Sequence, residues 1–576
     1  MTTPSRRRIG LLALMGALLV GGPASAADPP VLTTPVQVTK SDLDPQRTYS
    51  APALAVSPED PEVIVGGYVE FRTKRCSLMR STDAGATWTL LDSSPALESY
   101  PFCLANNSNV FQAPIAFGSD NALYMAMAAW DTPDTRNQVS VQLARSTDLG
   151  DTWSSTLVRD ARATQDPRQE SNRPVTDVAV DTSGDEDVVY VTYRRGLRNQ
   201  PEGSDAPSQP MIAVSTDGGR TFAEPVSALG AYFDSSQTRS QAIGAATTVP
   251  NTTTTTVPPP GSLAAQPDQA ANFGGGNPSV TVDDEGTAYV AWKSTTSNIA
   301  SDPPGGIFVS KSTDQGKTWE VHQARPYSYS IGGSSVIPQL VWSSEGGSQG
   351  TLHLVYDDSD RPEVANYSTI YHVRSTDGGT TWTEPQVLAD IDADLVRGQF
   401  IPNLDVAPNG RVDVAWWDTR DDPGIRANDV YYTYSTDNGS TWSKNIRITD
   451  QTIDRRFGVW GNNFDQNSPP SLASADAYAI FGWDGTRFSR GEDGEVEFTP
   501  PADGPGGGVQ DIFISAAQFE SVGGGMSTAL QVALAAVAGL LLVGLALVVS
   551  ALVMRRREGG SLFPSGKPAR TKAEVG

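Results

Sequence analysis

Cysteine and histidine are nearly missing from this chain of 576 residues, which holds two of the first and three of the second. Cys76 and Cys103 are too few for a disulfide framework, and His322, His353 and His372 are scattered, with no zinc-type constellation. No catalytic metal and no cofactor are therefore expected. Positive charge is also short: 42 Lys and Arg against 66 Asp and Glu leave a formal net charge of −24. A surface of that sign repels nucleic acid, which is set aside as a partner, and disfavours anionic glycans unless a local basic pocket overrides it. Only 19% of residues are charged, while 54 Gly and 41 Pro mark many turns, a composition that suits an extracellular β protein.

Long apolar runs stand at the two ends. Residues 1–26 combine Arg6, Arg7 and Arg8 with an apolar run from Ile9 to Val20 and then Ala24-Ser25-Ala26, which reads as a secretory signal. From Ala529 to Met554 no residue is charged, and Arg555, Arg556 and Arg557 follow at once. That pattern predicts one transmembrane helix over 529–554, joined by a linker at 521–528, with a basic cytoplasmic tail at 555–576. The expected product is exported and single-pass, with its N-terminal ectodomain outside the cell. Both cysteines lie in the exported part, so a disulfide is the expected state, and two free buried thiols the alternative.

Between those ends one phrase recurs, Ser-Thr-Asp-x-Gly-x-Thr followed by Trp or Phe, starting at Ser81, Ser146, Ser215, Ser312, Ser375 and Ser435. Its aspartates are Asp83, Asp148, Asp217, Asp314, Asp377 and Asp437, separated by 65, 69, 97, 63 and 60 residues. Periodicity of this size signals stacked or radial repeats. The carboxylate is expected to accept a backbone N–H two residues on, with glycine supplying a positive φ and the aromatic anchoring the hairpin between sheets.

Each phrase follows a strand-type run: Val63–Glu70, Ala122–Trp130, Val188–Arg195, Thr287–Ser294, Thr351–Asp358 and Arg411–Asp418. Before each run an X-Pro step (Pro52, Pro114, Pro174, Pro278, Pro338, Pro402) is expected to open a shorter strand. A seventh opening at Pro469-Pro470 continues into Tyr478–Asp484 and Val509–Phe519 but lacks the phrase. Its missing strand is expected from Val31–Lys40, pairing of which closes a ring. The fold class is thus all-β, a seven-bladed β-propeller over 31–520, with six blades and a C-terminal cap as the alternative. The long third interval holds a Thr/Pro tract, 251–260, read as a disordered insertion spanning about 231–273.

The repeated phrase is the Asp box, and its repetition resembles the sialidase (neuraminidase) superfamily and its non-enzymatic relatives, the BNR-repeat propellers. In a four-stranded blade the Asp boxes lie on the 3–4 turns, away from the binding mouth. The 2–3 connections share the opposite rim and include Arg195–Gln209, Ser294–Gly306, Asp358–Ser368, Asp418–Asn428 and Gly485–Gly508. Second strands end there in Trp130-Asp131, Tyr193-Arg194, Trp292-Lys293, Tyr356-Asp357, Trp417-Asp418-Thr419-Arg420 and Trp483-Asp484-Gly485-Thr486-Arg487. Aromatic faces stack on sugars and Asp or Arg grip hydroxyls, so Trp130, Arg194, Trp292, Asp357, Trp417, Trp483 and Asp484 are the expected ligand contacts. The alternative is that Asp418–Arg420 and Asp484–Arg487 are blade-stabilising pairs.

The resemblance implies that a catalytic member carries an aromatic-Arg-Ile-Pro step whose arginine grips a sialic acid carboxylate. Here the step reads Tyr49-Ser50-Ala51-Pro52, with Ser50 in the arginine's place. An unpaired substrate charge in a desolvated pocket costs on the order of several kcal/mol, which argues against sialidase activity. Asp131, Arg173, Asp418, Arg420, Tyr432 and Arg487 remain candidates for the remaining catalytic roles, with no motif assigning them. Two functions stay open: recognition of an extracellular glycan or glycoprotein through the variable rim, or an exo-acting glycoside hydrolase of sialidase type with a rearranged site.

Overall fold

The computed structural model describes residues 29–39, 48–103, 112–133, 139–160, 170–171, 175–197, 209–228, 274–275, 278–295, 306–326, 338–346, 349–358, 368–392, 398–422, 427–455, 457, 469–490, 496–498 and 510–519. The expected signal, insertion, linker, membrane helix and tail all lie outside them. Among the described residues no helix is long and apolar enough to cross a membrane. The chain divides into Met1–Phe519 and Glu520–Gly576, and every described residue belongs to the first.

That unit is a seven-bladed β-propeller. Each blade is an antiparallel sheet whose inner strand begins at Tyr49, Ile115, Val175, Ser279, Gln339, Gln399 or Ser471, numbered here as blades 1 to 7. Blades 1 to 6 run from inner to outer strand in chain order. Blade 7 takes Ser471–Ala475, Tyr478–Gly485 and Asp511–Gln518 from the C-terminal side. Its outer strand comes from the N-terminus: Val31 pairs with Gln518 and Val36 with Ile514. Gln37 Nε2 and Thr39 Oγ1 donate to the Asp511 carboxylate at 2.8 and 2.9 Å, which locks the register. The ring closes as expected at Val31–Lys40, and the six-bladed alternative is excluded.

Every blade buries its apolar residues against both neighbours. The core is consequently a circle of separate clusters, one for each blade-to-blade seam, and not one central mass. The inner strands leave backbone N–H groups that no strand pairs, and the preceding blade supplies side-chain acceptors for several. Asp177 accepts from Val280 N at 2.9 Å, Ser279 from Leu340 N at 3.1 Å, and Asp405 from Ser474 N at 2.7 Å.

Two sequence expectations change in detail. Pro52 and Pro402 do not open their strands; they sit inside Tyr49–Val56 and Gln399–Val406, at bulges where the register shifts. The residue before each is left-handed, Ala51 at φ 54° and Ile401 at φ 50°. A β-branched residue there is held at a cost of about 1–3 kcal/mol by its surroundings. In the Asp box the carboxylate reaches four residues on, not two. Asp83 accepts from Thr87 N at 2.8 Å and Thr87 Oγ1 at 2.6 Å, while Ser81 Oγ accepts from Gly85 N at 2.9 Å. The same set of bonds recurs in the boxes of Asp148, Asp217, Asp314, Asp377 and Asp437. Cys76 and Cys103 form a disulfide with Cα atoms 5.4 Å apart, tying blade 1 to the entry of blade 2.

Candidate functional site

The rim opposite the Asp boxes carries the ends of the second strands. There the quoted tryptophans point into the seams instead of outward, because a large apolar ring between two sheets removes more surface from water than one left at a mouth. Trp130 (5% exposed), Trp292 (2%), Trp417 (1%) and Trp483 (3%) are all buried. Trp292 stacks on Phe308 at 4.6 Å and donates to Ser310 Oγ, and Trp483 stacks on Phe513. Their faces are occupied by protein, so they cement the loop bases and do not present a stacking platform.

What the rim does present is a chain of arginine–aspartate pairs over blades 6 and 7. Asp418, at the end of its strand and fully buried, accepts from Trp416 Nε1 at 2.9 Å and from Arg420 Nε at 2.9 Å and Nη2 at 2.6 Å. Arg420 also reaches Asp390 at 3.1 Å and lies 3.9 Å over the Tyr431 ring, whose hydroxyl donates to Asp421. Burial alone would depress this guanidinium, but the bonds to Asp418 hold it above its ordinary value. Arg447 pairs with Asp429 at 2.8 Å, and Arg487 bonds both oxygens of Asp450 at 3.0 Å while covering Phe513.

The deepest member is Arg455, which sequence reasoning passed over. It follows the short strand Ile453–Asp454 on the blade 6 to 7 connection, where no repeat or motif distinguishes it. Its guanidinium lies 4.7 Å over Trp417, bonds Asn428 Oδ1 at 2.9 Å and stands 3.7 Å from Asp484. Burial pulls Arg455 down to about 10, with Asp484 opposing the shift. Asp484 in turn accepts from Gln510 Nε2 at 2.9 Å and from Ser50 Oγ. Ser50 therefore fills the place where the resemblance expects a carboxylate-gripping arginine, and it serves the protein's own aspartate.

Blades 4 and 5 add a second, smaller arrangement. Lys293 (1% exposed) is lowered by burial, opposed by Asp357 and Asp358. Asp357 is raised by burial to about 6, opposed by Lys293. Arg194 on blade 3 is half-buried and lowered by desolvation. Asp131 is half-buried at the end of its strand on blade 2, and Arg173 lies outside the described residues. Tyr432 is not on this rim. Its hydroxyl donates to Asp413 at 2.6 Å near the Asp-box end of blade 6, where Arg411 and Ser474 complete the pairing, so its role is a seam contact. The structure thus gathers Asp418, Arg420, Asp484 and Arg487 on blades 6 and 7, keeps Asp131, Arg194 and Asp357 on separate blades, and sends Tyr432 to the far end. Among the described residues no cluster of His, Cys, Asp and Glu could hold a metal ion.

No family model matches the sequence, and no curated relative does. Solved structures do. The Hadza microbial sialidase Hz136 is 14% identical, covering 80% of this chain and 76% of its own, with a TM-score of 0.41. The GH93 α-L-arabinofuranosidase of Fusarium graminearum, solved with arabinobiose, is 14% identical over 70% of this chain and 98% of its own, with a TM-score of 0.38. The Trypanosoma rangeli sialidase solved with DANA is 12% identical over 76% and 57%, with a TM-score of 0.39. All three TM-scores lie under 0.5, and likenesses of this size carry no argument about the site.

Proposed function

We propose that this protein is an exported, membrane-tethered propeller that recognises an extracellular glycan or glycoprotein over the rim of blades 6 and 7, and that the group recognised is uncharged. The observation that carries this reading is the pairing of rim arginines: Arg420, Arg447, Arg455 and Arg487 are each committed to an aspartate. Freeing Arg420, Arg447 or Arg455 for a ligand carboxylate would leave buried Asp418, Asp429 or Asp484 uncompensated, a cost on the order of 3–5 kcal/mol. A hydroxylated, neutral ligand needs no such exchange, since paired carboxylates and guanidiniums retain lone pairs and N–H groups at their exposed edges. Asp390 and Asp450, 43% and 37% exposed, supply such edges.

A second reading has its own support. A buried carboxyl raised to about 6 beside a buried lysine, as at Asp357 and Lys293, has the profile of a general acid, which an exo-acting glycoside hydrolase requires.

The exported ectodomain, purified and offered to immobilised neutral and sialylated glycans, is expected to retain neutral ones. Arg420→Ala is expected to weaken that retention about tenfold or more. Preference for sialylated glycans would overturn the proposal. Turnover of a fluorogenic glycoside that Asp357→Asn abolishes would favour the hydrolase.

A further inference from the structure

Two of the chain's three histidines, His353 and His372, meet inside the seam between blades 5 and 6, on the Asp-box side. Neither is accessible to solvent to any useful extent, at 0% and 1% exposed. His353 Nδ1 lies 3.1 Å from His372 Nε2, and the rings stack at 5.4 Å. His353 Nε2 lies 3.0 Å from the side-chain oxygen of Asn438, at the tip of the blade 6 Asp box. Trp442, the anchor of that box, stands edge-on to His372 at 4.9 Å. The hairpin presses close: a Cβ at Gly439 would come within 2.7 Å of the His372 ring.

The hydrogen-bond directions along this chain follow from its far end. Thr351 Oγ1 donates to Glu345 O, so it must accept from Asn438 Nδ2. Asn438 Oδ1 then faces His353 and accepts from Nε2–H. His353 Nδ1 is left as an acceptor, so His372 donates to it through its own Nε2–H. Both imidazoles are neutral in this arrangement. His372 Nδ1 ends the chain with no hydrogen bond of good geometry, and Gln386 is the side chain that favours a proton on this ring. The Gln386 amide also accepts from Trp442 Nε1 and donates to Ser440 O, and it carries no charge to offset a proton.

We propose that this pair is a proton-sensitive latch: neutral, it holds blade 6's Asp-box hairpin against blade 5, and a proton placed on His372 Nδ1 releases the hairpin. Among the described residues around the pair, no carboxylate is turned towards the added charge, and only the neutral Gln386 amide favours it. Arg374, on the same strand as His372, repels a proton on either ring, and its Nη1 is itself bound to Asn438 O. The Asp437 carboxylate of the hairpin is turned to Ser435 and Thr441. The carboxylate of Glu345 packs at Gly410, and only its carbonyl enters the chain.

Burial lowers His353 to about 4, with Arg374 adding to the shift and Asn438 opposing it. His372 is lowered well below its ordinary value by burial, with His353 and Arg374 adding to the effect and Gln386 opposing it. The folded form therefore resists protons that the unfolded chain takes up. Stability from the pair is complete above about pH 6.5, the ordinary histidine value, and is lost as pH falls from there towards about 4. Each histidine lowers the folded-to-unfolded ratio by about tenfold per pH unit in that window.

Hydrogen exchange at the histidine ring carbons, read by mass spectrometry on the intact chain, reports each ring separately. His353 and His372 are expected to stay neutral down to pH 5. Titration of both near 6.5 overturns the latch. His372→Gln keeps the Nε2–H donor but removes the protonation site, and is expected to cut the fall in Tm between pH 7 and pH 5 by about half. Backbone amides of 437–442, corrected for intrinsic rate, are expected to exchange faster at pH 4.5 in the wild-type chain than in His372→Gln. An identical pH slope in the two proteins, or no change in those amides, also overturns the proposal.

Discussion

The two rims of this propeller are built on opposite rules. On one, the Asp box repeats with the same few hydrogen bonds in each copy, held between residues four positions apart. On the other, each blade ends differently and the bonds that matter join residues distant in sequence, such as Ser50 to Asp484 and Arg420 to Asp390. Local bonds make a module that can be copied from blade to blade. Long-range bonds make a surface that is free to differ from one blade to the next, which is where recognition belongs.

If that contrast is right, single changes on the variable rim cost more than single changes in a box. Asp484→Ala strips buried Arg455 of its counter-charge and leaves Ser50 and Gln510 without their acceptor, so a loss of roughly 3–5 kcal/mol is expected in urea unfolding. A loss under about 1 kcal/mol there would break the comparison. Cys76→Ser opens a cross-link between residues 27 apart and is expected to cost about 3–4 kcal/mol by the chain-entropy relation. It sharpens the contrast, since blade 1 then depends on packing alone; the unfolding midpoint under oxidising conditions reads it directly.

In the box itself, Asp377→Ala removes the acceptor for exposed Thr381 N and Oγ1 and for buried Ser375 Oγ, so about 1–2 kcal/mol is expected. The boxes should also show themselves in acid. The hydroxyl of Thr318 and neighbouring N–H groups hold Asp314 at about 2. A carboxylate lowered in this way contributes stability above about pH 4 that disappears as pH falls through about 2. Asp314→Asn is expected to flatten the pH dependence of unfolding between pH 4 and pH 2 and to lower stability at pH 7, where the carboxylate's contribution is fully present. The smallest effect belongs to neither rim: Val387→Lys, on an exposed outer strand, should shift stability by under about 0.5 kcal/mol.

Much of the architecture was readable before any coordinates. The six boxes and the apolar runs place the blades, though two of the X-Pro steps fall inside strands, and Val31–Leu32 and Val36–Gln37 of the orphan segment close the ring on Asp511–Gln518. The candidate site was readable only in outline. Asp418–Arg420 lie two residues apart, and Asp484 and Lys293 stood out beside their tryptophans, yet Arg455 carries no signature, because a lone basic residue reads as a solvated side chain until something is seen to cover it. The tryptophans misled for a related reason. An aromatic at a strand end is equally placed to face a mouth or a seam, and only the position of the next blade distinguishes them.

What followed from the order of residues alone is the repeat count, the place of each turn and strand run, and the balance of charge. Which partners those residues found across seams, from Ser50 on Asp484 to His353 on His372, was decided by tertiary packing. The reason is physical: burial turns an ordinary side chain into a paired, desolvated one, and the sheets that bury it arrive from hundreds of residues away.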